Sequence, residues 1–201
     1  MALPNDINIP KIFDHRENML IDFVNTCHAD QKRKYEGLPY VVHLIAVANT
    51  VKRFTKNDIQ TAAALCHDVF EDTTCTESEL KNFLKDHYTM EESSQIIQLV
   101  WELTDRYTKE DFPNLNRFAR KKLDAERLKK ISADAATIKL ADFMDNIGSI
   151  VTHDKGFAKV YLSEIQDFFP SLIKGDSELF KLANELFNKY LVELELELND
   201  L

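Results

Sequence analysis

Apolar residues in this chain recur every three or four positions almost from end to end. That period lays them in one stripe along a helix, and it does not match the two-residue alternation of a half-buried strand. In "DHRENMLIDFVNTCHA" the stripe is Met19, Leu20, Phe23, Val24 and Cys27. The 201 residues include only 4 Gly and 5 Pro, so helices with short connections are expected. The stretch "DQKRKYEGLPY" is one break, punctuated by Gly37 and Pro39. Pro39 suits the first turn of a second helix, which should run to Phe54. In isolation Val41, Val42, Ile45, Val47 and Val51 suggest a strand. They lie in a longer stretch repeating at three and four, so they read as helix. Asn57 or Asp58 caps the helix opening "NDIQTAAALCHDVF", and Thr76 with Glu79 forms a capping box for "TESELKNFLKDH". Further helices are expected at about 91–104, 114–131, 133–150, 156–168 and 176–198. The expected fold is all-α, with about eight to ten helices in a single domain over 1–201. The last helix is amphipathic and alternates Leu and Glu near its end. It reads as a terminal helix packed on the body rather than a dimer seam, because two or three turns of Leu do not make a coiled coil.

The net charge of −9 excludes a general nucleic-acid-binding surface, which needs a clustered basic footprint. A local basic pocket for a small anion remains compatible with it. Cys27, Cys66 and Cys75 are odd in number and include no CxxC pair, which fits free thiols in a reducing compartment. The N-terminus lacks a basic region followed by an apolar run, and no uncharged apolar run is long enough to span a bilayer. These features predict a cytoplasmic protein with no membrane partner, as a monomer or homodimer.

One stretch breaks the apolar pattern: "ALCHDVFEDT" puts His67, Asp68, Glu71 and Asp72 beside a helix of small apolar residues. Buried ionisable groups are costly without a partner, and a divalent cation is one such partner. A His-Asp dipeptide alone is weak evidence, and this chain has a second, His153-Asp154, in the turn-like "THDKG". That second pair reads as a surface feature and serves as an internal control. Two more polar residues sit in equally apolar settings, His43 in "YVVHLIAVA" and Asp142 in "ATIKLADFMDN". Two imidazoles and two carboxylates form a mixed N/O donor set that suits Mn²⁺, Fe²⁺ or Zn²⁺. If the helix continues past His67, Glu71 falls one turn on and faces the same site. Asp142 and Asn146 are four apart and share a helix face, with Lys139 three residues before Asp142. Arg117 and Arg120 likewise share a face in the basic stretch "RFARKKLDAERLKK".

The ordered blocks "RK…G-L-P-Y-V-V-H-L-I-A-V-A", "A-A-L-C-H-D-V-F-E-D-T" and "I-K-L-A-D-F-M-D-N" resemble the hydrolase domain of the RelA/SpoT family, within the HD phosphohydrolase superfamily. The size resembles the small stand-alone alarmone hydrolases, including the Mesh-type enzymes of animals. The resemblance covers roughly Cys27 to Leu172. It implies a helical HD-domain bundle that binds Mn²⁺ and removes the 3′-pyrophosphate of (p)ppGpp, giving GDP or GTP and pyrophosphate. By position it implies His43, His67, Asp68 and Asp142 as metal ligands. It implies Glu71 and Asp72 as the pair that handles the attacking water. Asn146, Arg33 and Lys34 would contact the nucleotide, with Lys139 in support. Arg117 and Arg120 lie on a helix comparable to one that approaches the pyrophosphate, and Lys159 stands where relatives often carry Arg. The chain departs from the family pattern at Leu44, at Asp145, in the extra residue of "KYEG", and at Phe143, where many relatives carry a basic residue. A less basic pocket leaves ppApp, or the 2′-phosphate of NADPH, as alternative substrates. A non-catalytic nucleotide-binding or antitoxin module is the remaining alternative.

Overall fold

The computed structural model describes residues 11–194, and the chain divides into two compact units, Met1–Thr104 and Asp105–Leu201. The described residues form ten α-helices and one 3-10 turn, with no strand among them beyond an isolated bridge between Lys32 and Pro39. The all-α expectation therefore holds for the described residues.

The first unit contains α1 (His15–His28), α2 (Val41–Thr55), α3 (Asp58–Cys66), α4 (Val69–Asp72), α5 (Glu77–Leu84) and α6 (Met90–Leu103). Helix α3 is its core. Every residue from Thr61 to Cys66 is fully buried, and the small side chains of the three alanines let α1, α2 and α6 pack closely around it. Asn57 caps α3 by accepting from the Ile59 and Gln60 N–H groups, and Lys56, at φ 52°, ends α2 in the left-handed conformation. Capping boxes open α1 (Asp14 with Glu17), α5 (Thr76 with Glu79) and α6 (Thr89 with Glu92). The Glu17 carboxylate of the first box is also buried against α2, where Lys52 Nζ lies 2.6 Å from Oε1 and 2.8 Å from Oε2.

The second unit contains α7 (Arg117–Leu128), α8 (Ala133–His153), α9 (Lys155–Gln166), a 3-10 turn (Phe169–Lys174) and α10 (Ser177–Glu193). Helix α7 starts three residues later than expected because the Asn116 side chain accepts from the Ala119 N–H and so sets the cap. Helix α10 is the expected C-terminal helix; residues 195–198 of that expectation lie outside the described residues. Thr137 of α8 accepts from the Asp176 N–H at 2.8 Å, which pins the connection into α10. Gly175 stands in that connection, where an added Cβ would lie 2.9 Å from the Thr137 backbone N and 3.2 Å from the Ala136 carbonyl carbon. Backbone cannot yield as a side chain tip does, so Gly175→Ala is expected to destabilise the protein by roughly 1–3 kcal/mol. A denaturant titration against the parent chain measures this.

The control pair proves structural. His153 ends α8 with Nδ1 2.9 Å from the Ser149 carbonyl, and Asp154 caps α9 by accepting from the Phe157 N–H. Helix capping accounts for both residues.

Candidate metal centre

Helices α2 and α3 are joined by the two residues Lys56 and Asn57, so the start of α2 meets the end of α3. This brings together His43, in the first turn of α2, and His67-Asp68, which follow α3. The rings of His43 and His67 lie edge to face with centroids 5.1 Å apart, and both side chains are buried. Asp68 Oδ2 stands 3.0 Å from His67 Nε2 and 3.5 Å from His43 Nε2. His67 Nδ1 is 2.8 Å from the Ala64 carbonyl oxygen, which only accepts, so Nδ1 carries a proton and Nε2 faces Asp68. Two imidazole nitrogens and a carboxylate oxygen at this spacing form a donor set that a divalent cation can occupy. Donors bound to one metal at about 2.1 Å stand roughly 3–3.5 Å apart; both imidazole-to-Asp68 distances fall in that range, and the three donor atoms lie within 4.8 Å of one another. The His43–His67–Asp68 group can therefore hold a divalent metal. Burial works to raise the Asp68 carboxyl, but the two imidazoles outweigh it and hold the group well below the usual carboxylate range.

Asp68 has a further partner that the sequence did not single out. The Tyr40 hydroxyl donates to its Oδ2 at 2.7 Å, while the Tyr40 ring stacks on His28 and meets His43 edge-on. Tyr40 stands three residues before His43, so it rises one turn beneath it. Tyr40→Phe keeps the stack and removes this donor. It is expected to weaken divalent-metal binding roughly 10–100-fold with the fold intact, measured by calorimetric titration.

The helix does not continue from His67 to Glu71 as expected. Helix α3 ends at Cys66, Asp68 adopts φ −100° and ψ 0°, and α4 restarts at Val69 for a single turn. The Asp68 carbonyl accepts from both the Glu71 and Asp72 N–H groups, which nucleates that turn. The one-turn argument for Glu71 therefore rests on a helix that is interrupted. Glu71 is exposed. Asp72 Oδ2 accepts from Gln31 Nε2 at 3.0 Å, and Gln31 Oε1 is 2.7 Å from Nδ1 of the buried His28. Asp72 is itself exposed, yet partial desolvation by the surrounding protein, and then the charge of Asp68, push its carboxyl above its ordinary range against the pull of the Gln31 hydrogen bond. Gln31 and His28 carry no motif of their own. Their roles come from the loop 31–40, where the Gln31 carbonyl accepts from the Tyr40 N–H and Gly37, at φ 68°, makes the reversal.

In the second unit α8 presents Lys139, Asp142 and Asn146 together. Lys139 Nζ donates to Asp142 Oδ2 at 2.9 Å, and Asn146 Nδ2 donates to Oδ1 at 2.5 Å. Burial works to lower the Lys139 ammonium, but Asp142 outweighs it and raises the group, so it stays charged. Tyr161 of α9, half-buried and interacting with Asn146, is another member that the sequence did not indicate.

The basic residues are less available than their spacing implied. Arg117 makes a bidentate pair with Glu164 at 2.7 and 2.9 Å, and Arg120 donates to the Leu115 carbonyl at 2.5 Å. Arg33 lies 3.7 Å from Glu36, and Lys34 Nζ rests 4.7 Å above the Tyr35 ring. Lys159 is exposed on α9. Phe143 is buried among Tyr161, Phe169 and Phe187, so it is a core residue and not a pocket wall. Its departure from a basic residue therefore says nothing about pocket charge.

Fold and site together define a helical protein with a His-His-Asp group able to hold a divalent cation. The chain belongs to the HD domain family, which it matches over residues 21–173, through both units. It is 32% identical over 123 residues to a guanosine-3′,5′-bis(diphosphate) 3′-pyrophosphohydrolase of Drosophila melanogaster, covering 60% of this chain and 61% of that protein. It is 29% identical over 136 residues to a probable guanosine-3′,5′-bis(diphosphate) 3′-pyrophosphohydrolase of Mycoplasma pneumoniae, covering 65% of this chain and 17% of that one. The chain thus spans less than two thirds of either relative. The solved structure of a metazoan SpoT orthologue, described as hydrolysing ppGpp, shares the fold with TM-score 0.74 and 23% identity, over 90% of this chain and 98% of that one. No helix of the described residues is long and apolar enough to cross a membrane.

Proposed function

We propose that this chain is a metal-dependent hydrolase that removes the 3′-pyrophosphate of (p)ppGpp, acting as one functional domain on a small nucleotide in the cytoplasm. The observation that carries the reading is the convergence of His43, His67 and Asp68 on one point. The names of the Drosophila and Mycoplasma relatives supply the substrate class. Mn²⁺ is the cation proposed, on the resemblance to the RelA/SpoT hydrolases; the mixed imidazole and carboxylate donors also accept Zn²⁺ or Fe²⁺. Asp142 is proposed as the fourth ligand by its position in the family motif. When bound, such a cation polarises a phosphoryl oxygen and lowers the pKa of water.

The chain's own residues then have separable tasks. Asp68 supplies the full negative charge, and Tyr40 orients its oxygen. Asp72, raised above the ordinary carboxylate range and held by Gln31, is suited to take and return a proton, with Glu71 beside it in sequence. Asn146 and the cation of Lys139 are offered to the nucleotide. Arg33, Lys34, Arg117, Arg120 and Lys159 are the further phosphate contacts proposed. Phe143 in the core no longer supports a less basic pocket, which leaves Asp145 of α8 as the departure on which ppApp or the 2′-phosphate of NADPH stands as the alternative substrate.

The test is product analysis after incubating the purified protein with ppGpp and Mn²⁺, with an EDTA control. GDP and pyrophosphate, lost on chelation, are expected. Intact ppGpp with metal bound would remove this substrate and turn attention to ppApp and NADPH. Intact ppGpp with no metal bound would favour a binding module.

A further inference from the structure

We propose, on the hydrolase reading above, that His28 is a positioning residue for the Asp72 carboxylate and acts by fixing the Gln31 amide between them. His28 ends α1 and is 4% exposed. Its Nδ1 lies 2.7 Å from Gln31 Oε1, and Gln31 Nε2 donates to Asp72 Oδ2 at 3.0 Å. With Asp72 ionised, these contacts have one consistent polarity. A carboxylate accepts and cannot donate, so the amide turns its NH₂ towards Asp72. The amide oxygen then faces His28, and Nδ1 must carry the proton. That is the tautomer less favoured in free histidine. Burial is the largest influence on the ring and lowers it from its usual 6.5, against the raising pulls of Gln31, Asp68 and Asp72. The ring is therefore neutral at neutral pH, with a single N–H to give.

The fold tolerates two unfavourable features to hold this pair. Nε2 of His28 is buried with no hydrogen-bond partner among the described residues. Between His28 and Gln31, Ala29 adopts φ 42° and ψ −114°, on the left-handed side that a residue with a Cβ rarely takes. The turn it makes lets the Gln31 N–H donate to the His28 carbonyl at 2.8 Å, so backbone and side chain alike join the two residues. A residue kept for packing alone would need neither feature.

The His28 ring has a second contact, its stack on Tyr40, whose hydroxyl donates to Asp68. Stacking needs only an aromatic face, whereas fixing Gln31 needs the Nδ1–H, so substitution can separate the two. Asp72 is exposed, and a hydrogen bond from a fixed amide limits its rotation about the Cβ–Cγ bond. A base held in one orientation meets the attacking water in one geometry, which bears on kcat more than on substrate affinity.

The first test reads the tautomer. Long-range proton–nitrogen spectra of the metal-free, nitrogen-15-labelled protein at neutral pH should show His28 neutral and protonated at Nδ1. Gln31→Met removes the acceptor and should move the proton to Nε2 in most molecules. The second test reads ppGpp turnover by the metal-loaded protein. His28→Phe keeps the stack and loses the N–H, while His28→Asn loses the ring but sets an amide N–H where Nδ1 stood. In Gln31→Met and His28→Phe, kcat is expected to fall roughly 10-fold or more. KM and metal affinity should stay within about 3-fold of the parent. His28→Asn should be faster than His28→Phe. The double variant His28→Phe/Gln31→Met should be no slower than Gln31→Met, because both changes remove the same link. Gln31 is half-buried in a loop, so its variant reports even where a His28 variant does not fold. A parent His28 that is charged or protonated at Nε2, parent-level kcat in Gln31→Met, or His28→Asn no faster than His28→Phe would overturn the proposal. A parent protein that left ppGpp intact would overturn the substrate reading instead, and the tautomer would still decide whether His28 fixes the Gln31 amide.

Discussion

His67→Ala is expected to lose divalent metal and hydrolysis together, while His153→Ala loses neither. The His67 ring is buried, its Nδ1 is held by the Ala64 carbonyl, and its Nε2 lies 3.0 Å from Asp68 Oδ2. Alanine removes one of the three converging donors and leaves Asp68 with His43 at 3.5 Å as its only imidazole in the group. Outer partners of a metal ligand typically contribute 10–100-fold to affinity. Removal of a direct donor should therefore exceed about 100-fold. Metal content after dialysis and calorimetric titration read the first effect, and ppGpp turnover reads the second. His153 serves as the matched control, because it is exposed, lies outside the His43–His67–Asp68 group, and its Nδ1 stands 2.9 Å from the Ser149 carbonyl at the end of α8. Parent-level metal affinity in His67→Ala would remove His67 from the ligand set, whatever happened to activity.

Lys52→Met should be strongly destabilising to the first unit. Glu17 is 1% exposed, and both its carboxylate oxygens are within 2.8 Å of Lys52 Nζ. Removing the cation leaves a buried charge without compensation, which costs roughly 3–5 kcal/mol. For a chain of this size that corresponds to a fall in melting temperature of about 10 °C. Glu17 also accepts from the Asp14 N–H at 2.7 Å, as the second half of the α1 capping box. The double variant Glu17→Met/Lys52→Met should therefore recover all but about 1 kcal/mol, the worth of the lost cap contact. Thermal melts of the three variants separate these contributions. The pH dependence follows from the Lys52 ammonium, which burial tends to lower but the Glu17 carboxylate outweighs, so it lies above its ordinary 10.5. A folded-state value above the unfolded one contributes stability that is complete below about pH 10.5 and lost as pH rises through the folded value. Lys52→Met should abolish that alkaline component.

Most of the helices were legible because their signals are local. Asn57, Thr76 with Glu79, and the three-and-four apolar repeat each act within one or two turns, and the observed elements begin at those caps. The His43, His67 and Asp68 group was also legible, because ionisable residues in otherwise apolar helical stretches need a cation or a partner. The break between α3 and α4 was not. Sequence periodicity shows no interruption at His67-Asp68; the His67 side chain and the Asp68 carbonyl make it by taking local backbone partners. Phe143 was misread as a pocket residue for a related reason: a residue next to Asp142 in sequence points off a different side of the helix, here into the aromatic core.

The sequence by itself determined the helical class, the position of most caps, the family blocks and which residues were able to ligate a metal. All of these rest on contacts within about four residues, where helix geometry alone sets who meets whom. Tertiary structure alone decided the partners that shape those residues. Tyr40 reaches Asp68 across 28 positions, Gln31 reaches Asp72 across 41, and Glu164 engages Arg117 across 47. Such pairs are fixed by which helix faces pack together, and packing of apolar surface is non-directional along the chain.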